Sequence, residues 1–429
     1  MKKNVRFIRV DKLVIGATLA FFAFSCGNLH AAVDAAALPT NGVVVNGTGT
    51  EFSTVGNNMT VDIAGSGNRV IINYDSFNIG KDASVTFNQA DANAVVLNRV
   101  NVSGPQSEIW GALKANGNVY IVNPAGVLFG ANAVINVGSL VAAAGNITDD
   151  NFNAGIDSFS LSGSLENQAD ITANGVYLLG KTVKNSGNIT TNGKTVVMAS
   201  GENIEISEAG TGISVVVKNT TAESNGITNS GKIDAGSGSV LLGAGDLYSV
   251  AILNNGEITA NNVKIEAGSS GTNGKILSTE KIEATEDLTI SGGNVEVSEL
   301  NAGNIEITSS GDVVFGETTA GTSLNASASG NISQTGSVTS AETTLSGVNI
   351  TMSESGNELG NVSVSGESAK LVSSNGMSVE GSISGNLDAQ TSSGNLNVSG
   401  SADTLTANAL NGDVVFGETT AGTSLNASA

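Results

Sequence analysis

Histidine and cysteine are all but missing from this sequence, each occurring once, as His30 and Cys26. Both lie beside an apolar run from Leu13 to Cys26, which follows a basic segment over residues 2–12 and precedes Leu29, His30 and Ala31. This is the pattern of a secretory signal peptide, expected to span residues 1–31 and to be removed. Lipoprotein processing at Cys26 is the alternative, poorly served by the preceding Ala23 and Phe24. Without residues 1–31 the chain has neither thiol nor imidazole. That excludes disulfides, thiolate nucleophiles, Cys/His zinc sites and histidine general bases.

Bases are also scarce. Removing the five bases and one acid of the signal from totals of 18 and 39 leaves 13 bases and 38 acids, a net charge of −25. Arginine then remains only at Arg69 and Arg99. Phosphate backbones repel such a body, so no nucleic-acid partner is expected. No later apolar stretch approaches the roughly twenty residues of a membrane span, so no integral membrane segment is expected after signal removal. Aromatics are 4 % and charged residues 13 %, against 55 glycines and about fifty asparagines. That composition argues against a compact helical enzyme.

What is present is a rhythm of short β-branched runs broken by Asn-Gly, Ser-Gly and Gly-Asn, with no ten-residue stretch of helical periodicity. One unit recurs, beginning at Asn167, Asn185, Asn229 and Asn254, each followed four residues later by isoleucine. The steps are 18, 44 and 25 residues; reading the 44 as a double step gives a period of about 22, in the range of solenoids. Gly311 to Ala328 returns unchanged as Gly412 to Ala429, an offset of 101 residues that suggests five turns of about 20.

These features predict an all-β chain built as a right-handed parallel β-helix, with Val, Ile and Leu inward, Gly and Asn at corners, and asparagines stacked in ladders between turns. Proline interrupts such pairing, and none follows Pro124 for 305 residues. At about 21 residues and 4.8 Å per turn the rod would be about 90 Å long. Trp110, both remaining arginines and all three prolines precede residue 180, whereas beyond about 270 the only bases are Lys275, Lys281 and Lys370. The expected division is a signal at 1–31, a specialised module at 32–268 and a simpler repetitive stalk at 269–429, which stops inside a repeated unit and reads as part of something longer.

Several segments imitate catalytic or ligand motifs. Asn192, Gly193, Lys194 and Thr195 look like the end of a phosphate loop, but the required first glycine falls at Asn188 and a β-branched run follows. Gly65, Gly67, Gly236 and Gly238 are turn glycines. Asp149 with Asp150, and Glu283 with Glu286 and Asp287, are candidate carboxylate pairs for a β-helical polysaccharide-cleaving enzyme. Adjacent acids on a strand diverge, however, and no arginine follows Arg99. No catalytic residue, metal or cofactor is expected.

The sharpest feature is Asn123, Pro124, Ala125 and Gly126, a corner turn by its residue types. It belongs to a longer pattern: Leu97-Asn98-Arg99-Val100, then Ile109, Trp110, Gly111 and Leu113, then Asn116-Gly117, Asn123 to Gly130, and Ile135 to Leu140. Phe77, Asn78, Ile79 and Gly80 precede it, and Glu166, Asn167 and Gln168 follow. Over about residues 38–268 this resembles the N-terminal secretion domain of filamentous-haemagglutinin-like exoproteins, with Ala125 where the family usually has asparagine.

The resemblance implies two-partner secretion. An outer-membrane β-barrel with POTRA domains would recognise the N-terminal module, with Asn98, Arg99, Asn123, Pro124, Ala125, Gly126 and Val127 as candidate recognition residues. Phe77, Asn78, Trp110, Asn116 and Gly117 would build the module, Trp110 as a core or cap residue. The chain would reach the surface of a Gram-negative-type bacterium and act as an adhesin toward a host or neighbouring-cell receptor. A glycan-cleaving β-helix, or the delivery stalk of a contact-dependent toxin or cytolysin, are the alternatives. Lack of cysteine suits transit of an unfolded chain.

Overall fold

Strands in this chain alternate small apolar and polar residues, which suits a surface with one buried face, and nearly all of them pair in parallel with the strand one turn away. The computed structural model describes residues 33–64, 69–209, 212–218, 225–245, 250–268 and 274–429, with backbone only at 207–209 and 212–218. The expected signal peptide, Cys26, His30, Gly65 and Gly67 lie outside the described residues. Residues 33–429 form one unit, a parallel β-solenoid of about 15 turns.

Inward positions stack in apolar columns such as Ile171, Ile189, Ile233, Ile258 and Ile282, all buried. Burying each such side chain contributes about 1.5–3 kcal/mol. At the first turns the parallel pattern gives way to antiparallel strands. Val43–Asn46 pairs with Arg69–Tyr74, and Thr50–Val55 with Asn58–Ile63.

The asparagines that open the repeated units form the expected ladder. Asn167 Nδ2 donates to Asn185 Oδ1 at 2.7 Å, Asn185 to Asn229 at 2.8 Å and Asn229 to Asn254 at 2.8 Å; Asn254 then donates to Ser278 Oγ at 2.9 Å. All four asparagines are wholly buried.

That ladder corrects the period. Asn185 pairs directly with Asn229, so the 44-residue step is one turn carrying an insertion. The insertion includes an antiparallel hairpin, Asn203–Ala209 with Gly212–Lys218, lying outside the solenoid. The duplicated segment is also out of phase. Val313 stacks through Ile332, Ile350, Ala369, Leu387 and Leu405 to Leu425, six turns over 112 residues, or about 19 per turn. Leu324 stacks through Thr343, Val362, Val379 and Val398 to Phe416. The second copy is therefore turned by half a turn: its Val-Val-Phe sits on the face that carries Ser-Leu-Asn in the first. With residues diverted to the antiparallel strands, the axis is about 70 Å long rather than 90 Å.

On the outer side of one face, Ile71, Leu97, Tyr120, Val141, Tyr177, Val197 and Leu241 align on successive turns. An antiparallel sheet covers this apolar stripe, in the order Gly145–Asn146, Asp157–Leu161, Asn203–Ala209, Gly212–Lys218, together with a short helix, Asp149–Ala154. Thr148 caps the helix by accepting from the Asn151 N–H at 3.1 Å, and Gly155 ends it with φ of 72°. The next outward residue in the column is Lys264, where the stripe turns polar.

Asn229→Leu leaves Asn185 Nδ2 and Asn254 Oδ1 buried without partners, at about 1–3 kcal/mol each. Urea unfolding of the full chain should show a clearly lowered midpoint, and an unchanged midpoint would mean that the ladder contributes no stability.

Candidate recognition corner

The corner around residue 123 forms where the strand Asn118–Val122 ends and Val127–Phe129 begins. Asn123 is wholly buried, and its carboxamide makes three hydrogen bonds. Nδ2 donates to Pro105 O at 2.8 Å and to Ser107 Oγ at 3.0 Å, while Oδ1 accepts from the Ala125 N–H at 2.9 Å. The Gly126 N–H donates to Asn123 O at 3.1 Å, closing a β-turn with proline at its second position. Gly126 has φ of 116°, and a Cβ there would lie 2.9 Å from Ser164 O, so glycine is required twice over. Val127 is buried, Pro124 half-buried and Ala125 exposed. An asparagine in place of Ala125 would point to solvent, so this departure from the family pattern leaves the corner intact.

The scattered motif residues stack on neighbouring turns. Ile79 bridges to Ile109, Ile109 pairs with Phe129, and Phe129 with Asn167. Phe77 is wholly buried edge-on against Tyr74, with ring centroids 5.2 Å apart. Asn78 Oδ1 accepts from the Glu108 N–H at 2.8 Å. Trp110 is half-buried; Nε1 donates to Glu108 Oε2 at 3.0 Å, and its ring occupies the space a side chain at Gly130 would need. Asn116 and Gly117 make another corner, exchanging two hydrogen bonds with the Gln89 backbone and one with its side chain.

Asn98 and Arg99 pair with Ile121 and Val122, just before the corner, but point in opposite directions. Asn98 is buried inside the solenoid, donating to Tyr120 O at 3.2 Å. Arg99 faces outward, bonding Asn73 Oδ1 at 3.0 Å and Ile147 O at 3.1 Å and pairing with Asp149 at 2.6 Å. Arg69 lies over the Phe152 ring, 4.4 Å from its centroid. Both arginines therefore clamp the covering helix. Their isolation in the composition was the available signal for this, whereas Phe152, Asp157 and Ser107 carried none.

Two of the candidate carboxylates are held by bases. Asp149 is bound to Arg99, in a helix rather than a strand, and Glu283 is bound to Lys281 at 2.7 Å. Among the described residues no cluster of three potential metal ligands occurs. Burial, and then the Asp157 carboxylate that accepts from its hydroxyl at 3.0 Å, push the Tyr120 phenol well above its usual range. Burial alone would raise Glu166, but hydrogen bonds from Gln168 and Lys184 outweigh it and hold the carboxyl below its ordinary value.

Residues 35–281 match the family model described as TPS secretion domain, and residues 302–365 match one described as repeats of unknown function. A heme/hemopexin-binding protein of Haemophilus influenzae is 36% identical over 213 residues, 46% of this chain and 23% of the relative. A second Haemophilus influenzae protein of that name is 41% identical over 104 residues, 24% of this chain and 11% of the relative. The matches thus span less than a quarter of either relative's length. The solved HMW1 secretion domain from Haemophilus influenzae superposes with a TM-score of 0.53 at 21% identity, covering 88% of this chain and 100% of that one. That likeness is one of fold.

Asn123→Leu removes all three carboxamide bonds in a buried corner and should cost about 2–4 kcal/mol, whereas Ala125→Asn should stay within about 0.5 kcal/mol of wild type. Comparable losses in urea unfolding would show that the carboxamide does not govern the corner.

Proposed function

This chain belongs to the TPS secretion domain family, and from that premise we propose that it is a non-enzymatic exoprotein exported by two-partner secretion. The observation that carries the reading is the family match over residues 35–281, joined to a solenoid that continues stacking past it, from Ile258 onto Ile282 and then Leu300. In this reading residues 1–31 direct passage to the periplasm. Residues 32–268 engage an outer-membrane barrel with POTRA domains, and residues 269–429 form a stalk presented at the cell surface or released, with an adhesive role toward a host or neighbouring-cell receptor.

In the folded corner only Pro124 and Ala125 offer surface to a partner, since Asn123, Gly126 and Val127 are buried. We therefore assign the motif to the chain before it folds, when all its residues are accessible, and afterwards to closing the corner outside the cell. Phe77, Asn78, Trp110, Asn116 and Gly117 support that corner's neighbours. The heme named in the relatives is not carried over. The matches span less than a quarter of either relative, and no histidine or cysteine follows residue 30.

Protease accessibility of the 311–328 segment on intact cells of the native host tests the reading. Wild-type chain should be cleaved outside, while an Asn123→Lys, Gly126→Asp double variant should remain periplasmic or be lost. Equal exposure of both would reduce the motif to a turn, and a wild-type chain never exposed would overturn surface export.

A further inference from the structure

Beside the covered stripe and continuing past its end, one face carries an ordered polar column. The residue preceding each inward apolar position is polar on six successive turns: Thr195, Ser239, Asn262, Asp287, Asn304 and Ser323. The last four of these groups are tied to one another. Asn262 Oδ1 accepts from the Asp287 N–H at 3.2 Å, Asn304 Nδ2 donates to Asp287 Oδ1 at 3.0 Å, and Ser323 Oγ donates to Asn304 Oδ1 at 3.0 Å. Two residues along each strand runs a second column, Leu241, Lys264, Thr289, Glu306 and Asn325. Two hollows of about 350 Å³ and 290 Å³ lie along these columns and share Asp287 and Thr289. Together they make a groove along the solenoid axis, with polar side chains alternating over the buried apolar positions.

The chemistry of the groove selects its occupant. Hydroxyls, amides and carboxylates repeat every turn, about 4.8 Å apart, over roughly 24 Å. Such an array suits a chain that is itself polyhydroxylated and periodic, because each repeat can meet the same donors and acceptors. Charge narrows the choice further. Glu286, Asp287 and Glu306 line the groove, and Lys264, the only base lining it among the described residues, is held by Glu266 at 2.8 Å. A sulfated or uronic-acid chain would be repelled.

We propose that this groove binds a neutral linear glycan laid along the axis, successive sugars meeting successive turns. The proposal rests on the surface-displayed reading above and names the class of partner. Asp287, Asn304 and Ser323 lie beyond the family match, which ends at residue 281, whereas Thr195, Ser239 and Asn262 lie within it.

Titration calorimetry on the full secreted chain tests this with chitohexaose and cellohexaose as neutral probes and hexagalacturonate as the anionic one. At least one neutral hexamer should bind more tightly than its trimer, and hexagalacturonate should not bind. An Asp287→Ala, Asn304→Ala variant should bind at least tenfold more weakly. An Asn331→Ala, Asn349→Ala variant, which breaks a similar amide contact of 2.9 Å on another face, should bind as wild type. Absence of neutral-glycan binding, equal loss in both variants, or equal binding of hexagalacturonate would each overturn the groove. The accessibility assay on cells separates the two readings: a surface-exposed chain that binds no glycan sinks the groove alone, and a glycan-binding chain never exposed sinks the export reading alone.

Discussion

Parallel stacking in register constrains everything else in this molecule. Each residue of a turn lies against the equivalent residue of the turns before and after it, so a position must suit its column as well as its place in the chain. Inside, that demand is met by branched aliphatic columns. At one corner it is met by amides, because a carboxamide both donates and accepts and so can bond its counterpart above and below. The run from Asn167 to Asn254, ending on Ser278, satisfies buried polar groups that would otherwise weaken the stack.

Stacking alone does not explain the N-terminal half. There the outer side of one face is as apolar as the inner side, and a solenoid has no second layer of its own to cover it. The chain supplies that layer from two insertions, a helix with a strand before residue 165 and a hairpin after residue 200. Arg69 and Arg99 hold the helix by different physics, one through a ring face and one through an ion pair and a backbone carbonyl. In so acidic a chain, two guanidinium groups placed here give the layer a unique seat.

The corner at Asn123 shows that residues proposed for recognition also close a structural element. Its carboxamide is wholly used within the fold, and its glycine is required by backbone angle and by lack of space. Little of it faces outward. In the proposed export, an unfolded chain would present these residues before the corner closes.

Alternation, corner chemistry, the absence of proline after Pro124 and the recurring Asn-x-x-x-Ile unit were enough to read a parallel β-solenoid, its amide ladder and the position of the motif corner. These are local or strictly periodic properties, and each residue type carries its own physical requirement. Turn number and phase were not readable in the same way. The 44-residue step looked like two turns because spacing counts residues, whereas a turn is defined by which residues pair, and Asn185 pairs with Asn229 across an inserted hairpin. The duplicated 18 residues likewise fit either of two faces, since both ask for the same alternation, and only the pairing of their neighbours set them half a turn apart. The covering layer and its arginine clamps follow from contacts between residues far apart in sequence, and so only the tertiary structure decided them.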